Sequence, residues 1–392
     1  MSANELRVAV LGAGIGGLTL SAALDRVGVR HEVYEQARRL TEVGAGIQLA
    51  PNAVRVLDRL GLAEHLRSVA VRIDAIEMRR WDDGDTISRL PLGAECEREF
   101  GAAYYTAHRA DLLAGLASVV PSVQLGFRCV RASSTEDRAR LVFDDGVVDA
   151  GVVVGADGIH SVVRDQIVPD RPRFSGQSIY RGLVPADQLG GRRAQVELFL
   201  GPGQHAVVYP VDGGRQFSFA ATVPARDWAE ESWSATGSVP ELLVAYRGWH
   251  PDLLEVLASA GSVRRWAVHD RDVIPCWSAG RLTLLGDAAH PMLPFFAQGA
   301  NQAIEDAAVL ARCLSTEDDV AAALRGYEAE RRPRTERIHR TSRQNDRLLH
   351  LPDGSEQRER DRRLAAGARL SAQEWLYGYD ADKAPSYQGS GT

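Results

Sequence analysis

Several residue groups in this 392-residue chain have the types and spacing that chemistry requires. Gln204-His205-Ala206-Val207-Val208-Tyr209-Pro210 holds a histidine and a tyrosine four positions apart. Residues so spaced on a strand point to one face. Both rings can therefore line one pocket, where an imidazole of near-neutral pKa can serve as a general base. The alternative is a histidine on a sheet face and a tyrosine in the core. Three glycine–acid signatures stand elsewhere: Gly12-Ala13-Gly14-Ile15-Gly16-Gly17, Gly155-Ala156-Asp157-Gly158, and Leu285-Gly286-Asp287-Ala288-Ala289-His290-Pro291.

The first signature suits a dinucleotide. Gly12 permits a tight turn, Gly14 lets the backbone approach a pyrophosphate, and Gly17 lets helix and strand pack closely. Free N–H groups at the helix N-terminus then face the phosphates. Glu35, with Gln36 beside it, ends the next strand, where a carboxylate can accept from ribose hydroxyls. A nicotinamide dehydrogenase would satisfy this unit equally well. The third signature separates the two readings: Asp287 at a strand end suits a carboxylate that accepts from flavin ribityl hydroxyls. Asp287 could instead cap a helix, but Pro291 argues against an immediate long helix.

The elements that must position these groups are readable. An apolar run from Leu6 to Leu11, a small-residue helix from Ile15 to Val27 and a strand from His31 to Tyr34 form a unit of about 30 residues, as a dinucleotide fold requires. Asn52 to Leu60 and Ala110 to Val120 have helical spacing, and Ala75 to Leu92 reads as a hairpin turning at Asp82-Asp83-Gly84. Antiparallel strands are expected over Val196–Leu200, Ala206–Val211 and Gln216–Val223. Glu241 to Leu257 reads as a helix, Arg281 to Leu285 as a parallel strand, and Gln298 to about Leu349 as helices in which Pro333 starts or kinks one. The fold class is α/β: a Rossmann-like nucleotide-binding domain (1–73, 98–177 and 270–350), an inserted antiparallel-sheet substrate domain (74–97 and 178–269), and a C-terminal extension (351–392). Arginines at 331, 334, 337, 340, 343 and 347 form a stripe whose plain reading is a solvated face paired with nearby acids.

Composition narrows the function further. With 45% hydrophobic and 25% charged residues the chain is that of an ordinary globular protein, and its length favours two domains over one. No apolar run of about 20 residues is present, so no membrane span is expected, and the N-terminus lacks the pattern of a signal peptide. A net charge of −6 gives no reason to bind nucleic acid. Cys96, Cys129, Cys276 and Cys313 are scattered without metal-ligand spacing, which points to reduced thiols in a cytoplasm and to no metal. Lys383 is the only lysine and sits in a polar tail, which excludes a catalytic lysine.

Taken together the motifs resemble the single-component FAD-dependent aromatic hydroxylases, the family of para-hydroxybenzoate hydroxylase and salicylate hydroxylase. The resemblance runs from Arg7 to about Arg347. It is carried also by Glu42-Val43-Gly44-Ala45-Gly46-Ile47-Gln48, by Tyr105-Thr106-Ala107-His108-Arg109-Ala110-Asp111-Leu112, by Ala297-Gln298-Gly299-Ala300-Asn301-Gln302-Ala303-Ile304-Glu305-Asp306-Ala307, and by the tail Trp375-Leu376-Tyr377-Gly378-Tyr379. The pattern is nearest to the salicylate, 6-hydroxynicotinate and 3-hydroxybenzoate types.

The resemblance implies an enzyme that uses FAD, NADH or NADPH, and O2 to hydroxylate a phenolic aromatic acid through a flavin C4a-hydroperoxide. It implies that Gly12, Gly14, Gly16, Gly17, Glu35, Gln36, Gln48, Arg109, Val130, Asp157, Asp287, Gly299 and Ala300 contact the cofactor. Arg109 would reach the flavin or its phosphates, Val130 would lie beside the adenine, and Gly299 and Ala300 would set their backbone against the flavin ring. His205 and Tyr209 become the residues that take a phenolic proton, with Phe295 beside them around the substrate, and Arg181 reads either as the partner of a substrate carboxylate or as a structural residue. His108 and His290 read as structural. A monomer or homodimer without membrane or nucleic-acid partners is expected. Ala297 stands where many relatives have glycine, which crowds the loop. Gln48 stands where the hydroxynicotinate type has histidine, which weakens that substrate. Two rivals remain: the same chemistry on a quinolone, polyketide, purine or isoprenoid, and a non-redox carrier built on the same nucleotide fold.

Overall fold

The computed structural model describes residues 6–40, 45–225 and 236–383. Glu42, Val43 and Gly44 of the quoted motif lie outside the described residues. The apolar runs Arg7–Leu11, Val152–Gly155 and Leu282–Leu284 become neighbouring parallel strands, flanked by Arg30–Glu35 and Val123–Leu125 on one side and the short strand Ser278–Ala279 on the other. Burial on both faces explains why these strands read as continuous apolar runs. The helices Ile15–Arg26 and Gly299–Thr316 pack against one another, and their buried side chains join the largest core.

A seven-stranded sheet forms a second layer system, in the order Val263–Asp270, Arg173–Pro185, Gln216–Pro224, Gln204–Val211, Gln195–Gly201, Ala75–Arg80, Thr86–Pro91. Its neighbours are antiparallel except where Gln195–Gly201 meets Ala75–Arg80. One face packs on the helices Val239–Ala245 and Pro251–Ala258 through Phe199, Phe219, Tyr246 and Trp249. The other face bears His205 and Tyr209.

Two expectations need correction. The expected helix from Glu241 to Leu257 is two helices. Gly248 adopts φ +85, a left-handed conformation that interrupts the first, and Pro251 opens the second. The arginine stripe lies on the helix Val320–Leu349, with Pro333 inside it, but it is not a uniformly solvated face. Arg331 is fully buried between Glu305 and Asp306, whereas Arg340 pairs with Glu336 at the surface.

Candidate active site

Parallel pairing brings the strand ends Leu11, Glu35, Gly155 and Leu284 to one edge of the sheet, the place where open α/β sheets bind ligands. At that edge Gly12 adopts φ +104, and a Cβ there would stand 2.4 Å from the carbonyl oxygen of Ala156, so the first and second signatures are in contact. Glu35 accepts the N–H groups of Ala13 and Ala37, both at 2.8 Å, which fixes its carboxylate against the glycine turn. Asp157 accepts from the Val162 N–H at 2.8 Å, and its carboxyl is raised above the usual range by burial. Gly16 faces inward, where a Cβ would lie 2.6 Å from Leu285 and 3.2 Å from Ala303. Its geometry is that of close packing against the third signature. Gln36, next to Glu35 in the chain, and Val130, on the strand Cys129–Ser134, are exposed and do not line the central cavity.

Gly14 and Gly17 differ in a way that yields a prediction. A Cβ on Gly17 would stand 1.9 Å from the Gly12 oxygen, while a Cβ on Gly14 would meet nothing within 4 Å. Gly17→Ala is expected to destabilise the chain by about 1–3 kcal/mol through overpacking. Gly14→Val should unfold at nearly the wild-type denaturant concentration and lose affinity for the dinucleotide. Urea unfolding and cofactor titration on both variants check this.

The central cavity, of about 240 Å³, lies between this edge and the seven-stranded sheet. Sheet register explains its floor. His205 pairs laterally with Thr222, Val207 with Ala220 and Tyr209 with Ser218, while Arg181 pairs with Ala220 and Ile179 with Thr222. Two-residue periodicity therefore sets His205, Val207, Tyr209, Ile179 and Arg181 on one face. Opposite them stand Gln48, Arg109, Asp287, Phe295, Gly299 and Ala300. The strand Gly46–Leu49 reaches the floor because Gly46 has no side chain: a Cβ would be 2.5 Å from Tyr209, and its N–H donates to Ser218 Oγ at 3.0 Å.

Electrostatics divides the cavity. Burial, with His350 nearby, holds the His205 imidazole well below its ordinary pKa, so the ring is a neutral base at neutral pH. Burial raises the Tyr209 phenol, partly offset by Arg181. The Arg181 guanidinium lies 4.4 Å from the Trp266 ring centroid. Burial pulls its pKa down to about 10, and its Nε has no hydrogen-bond partner. Desolvation at the cavity wall raises the Asp287 carboxyl, against the pull of His290 and Arg109. Phe295 meets the His205 ring edge-on, with centroids 5.3 Å apart.

Sequence reasoning missed the residues that hold the loop over this cavity. Asn301 donates to the carbonyls of Gln48 and Ala297 and accepts the Ala50 N–H at 2.9 Å. Glu305 accepts from Asn52 at 2.6 Å, Arg331 at 2.5 Å and Arg334 at 2.7 Å. His290 binds Asp306 at 2.6 Å, in keeping with a structural role. Ala297 adopts φ +51, a left-handed backbone conformation that glycine takes more readily than alanine. The tail packs back here: Arg334 donates to the carbonyls of Trp375 and Leu376, and Arg337 lies over the Trp375 ring.

These residues fit FAD. The helix Ile15–Arg26 has no side-chain cap at its N-terminus, and Gly14 leaves open space beside it for the pyrophosphate. Glu35 ends its strand beside the glycine turn, where it would meet a ribose, and Asp287 opens into the cavity that Gly299 and Ala300 line. The model of the FAD binding domain family matches residues 5–342. The chain is 47% identical over 387 residues to the 3-amino-4-hydroxybenzoate 2-monooxygenase PtnB3 of Streptomyces platensis, covering 97% of this chain and 98% of that protein. It is 35% identical over 395 residues to the 6-hydroxynicotinate 3-monooxygenase of Bordetella bronchiseptica, covering 98% and 97%. Among solved structures, Klebsiella pneumoniae HpxO complexed with FAD and uric acid superposes with a TM-score of 0.83 at 28% identity, over 92% of this chain and 93% of that one. The aminohydroxybenzoate type was not among those named from sequence, but it too is an aromatic-acid monooxygenase. The chain belongs to the FAD-dependent single-component aromatic hydroxylases, a family of aromatic-ring monooxygenases.

Proposed function

We propose that this enzyme hydroxylates a phenolic aromatic acid, with 3-amino-4-hydroxybenzoate as the first substrate to try, using NAD(P)H and O2. The observation that carries this is the placement of His205, Tyr209 and Arg181 on one sheet face, in the same cavity as Asp287, Gly299 and Ala300. Held by Glu35 and Asp287, FAD would supply the redox chemistry that joins NAD(P)H and O2 to hydroxylation of the ring. The chain's residues do the rest. His205 takes the phenolic proton, which raises electron density at the ring carbons ortho and para to the oxygen. Arg181 receives the carboxylate, and Tyr209 hydrogen-bonds the substrate beside His205. Phe295, Val207 and Trp266 wall the ring and exclude water. Asp287 accepts from the ribityl hydroxyls, while Glu35 holds the adenosine ribose. The cofactor part would comprise 1–73, 98–177 and 270–350. The proposed enzyme works in the cytoplasm as a monomer or homodimer. Among the described residues no helix is long and apolar enough to cross a membrane.

The test is NAD(P)H consumption by the FAD-loaded protein against a panel of phenolic acids, with product and peroxide both measured. One hydroxylated product per NAD(P)H on a phenolic acid is expected. Peroxide in place of product on every acid, with coupled turnover on a neutral phenol, would overturn the reading. Arg181→Met should raise KM for the acid about 10- to 100-fold, the loss of a charge-assisted hydrogen bond. The same variant should leave KM for a phenol lacking the carboxylate within about twofold, within the scatter expected of a neighbouring substitution.

A further inference from the structure

We infer that His350 and Asp346 form the outlet through which the proton taken by His205 leaves the cavity. This rests on His205 being the base, as proposed above. His205 Nδ1 lies 2.8 Å from His350 Nε2, and His350 Nδ1 lies 3.2 Å from Asp346 Oδ1. That Asp346 oxygen is buried and makes no hydrogen bond, so its contact with His350 is one of charge at ion-pair distance. A carboxylate at that distance draws the His350 proton to Nδ1, which presents Nε2 as an acceptor. His205 must then donate from Nδ1, which leaves its Nε2 as the basic nitrogen. The series also runs outward: the His350 side chain is 7% exposed and that of Asp346 29% exposed.

Two devices hold the chain in register. The Thr222 hydroxyl lies 3.4 Å from both facing imidazole nitrogens, and it accepts the His205 N–H at 2.8 Å. The Tyr246 hydroxyl donates to the carbonyls of His205 and Thr222, fixing both strands from the far side of the sheet. The direction of transfer follows from electrostatics. His205 is enclosed by Phe295 and the sheet floor, where positive charge is poorly solvated. His350 is the C-cap residue of the helix Val320–Leu349, at the negative end of its dipole, and stands beside Asp346.

The step balances. His205 Nε2 gains the substrate proton while Nδ1 gives its own to His350 Nε2. His350 Nδ1 then gives its proton to Asp346, which releases it to water. One proton leaves, no electrons move, and both rings end neutral. Reprotonation of the product oxygen along the same path restores the starting tautomers.

The test uses the FAD-loaded enzyme and 3-amino-4-hydroxybenzoate as probe, with a pH-indicator dye in weak buffer reporting proton release on binding. The variants are His350→Phe, His350→Gln and Asp346→Asn. In His350→Gln the new amide oxygen would still accept from His205 Nδ1 but could not pass a proton on, so this variant separates relay from support. Both His350 variants should release the proton at least tenfold more slowly, with the probe's Kd within twofold of wild type, and Asp346→Asn should fall between. Wild-type release in His350→Gln would overturn the relay, even if His350→Phe failed to fold. His205→Gln distinguishes the two failures: unchanged release there would remove His205 as the base, whereas lost release there with normal release in His350→Gln would remove the outlet alone.

Discussion

His205→Gln is expected to lower coupled hydroxylation of a phenolic acid by about 10²- to 10⁴-fold, the usual contribution of a positioned general base. Glutamine keeps the size and one hydrogen bond of the imidazole but cannot take a proton. NAD(P)H should still be consumed, with peroxide replacing product, because an un-ionised phenol is a poor nucleophile. The pH profile gives a second reading. Burial holds His205 well below its ordinary pKa, so the imidazole stays neutral, and competent, as pH falls past 6.5. Loss of kcat/KM on the acid side should therefore set in below the range of an exposed histidine. Among the described residues Arg181, Tyr209 and His350 lie nearest to it, and Arg109, Asp287, His160 and His269 line the same cavity.

Arg331→Met is expected to destabilise the fold by about 3–5 kcal/mol, because it leaves Glu305 and Asp306 short of a cation in a dry interior. Arg331 lies 2.5 Å from Glu305 and 2.7 Å from Asp306, all three fully buried. Burial alone would raise both carboxyls. For Glu305 the nearby Arg334 and Arg331, and for Asp306 His290 and Arg331, outweigh it and hold both below the usual range. The sign of the pH effect follows. Groups with depressed folded-state pKa contribute stability fully above their unfolded pKa, near 4, and that contribution is lost as pH falls through the folded value. Urea unfolding at pH 7 and at pH 3 should show a smaller gap between wild type and Arg331→Met at the lower pH. Arg340→Met, on the surface end of the same helix, should change stability by less than about 1 kcal/mol.

The contrast between those two arginines shows where the sequence stops being informative. Local rules sufficed for the dinucleotide turn, because Gly12, Gly14 and Gly17 act within one strand–helix unit and Glu35 ends the next strand. They sufficed for His205 and Tyr209, since strand periodicity alone fixes a shared face. They also pointed to Asp287, in the short turn Gly286–Ala288 that follows the strand Leu282–Leu284 beside Val152–Gly155. The stripe at 331–347 has a regular spacing that suits solvent, yet its first members are buried by acids on another helix. Those acids, Glu305 and Asp306, stood in a motif quoted for another reason. Nothing near His205 announced His350, which lies 145 positions away. Trp266 under Arg181 and Gly46 against Tyr209 likewise depend on sheet order, which no single stretch encodes. Charge burial and long-range pairing are properties of the assembled layers.

The account depends on a single FAD spanning the glycine turn and the strand end after Leu284. Equilibrium titration of the FAD-free protein with FAD, followed by flavin fluorescence, tests this through Asp287→Ala and Gly14→Val. Loss of a charge-assisted hydrogen bond in the first variant predicts a Kd about 10- to 100-fold above wild type, and obstruction of the pyrophosphate in the second predicts a further loss of affinity with folding intact. FAD binding at wild-type strength in Asp287→Ala would contradict the account, since the cofactor would then lie outside the cavity that holds His205.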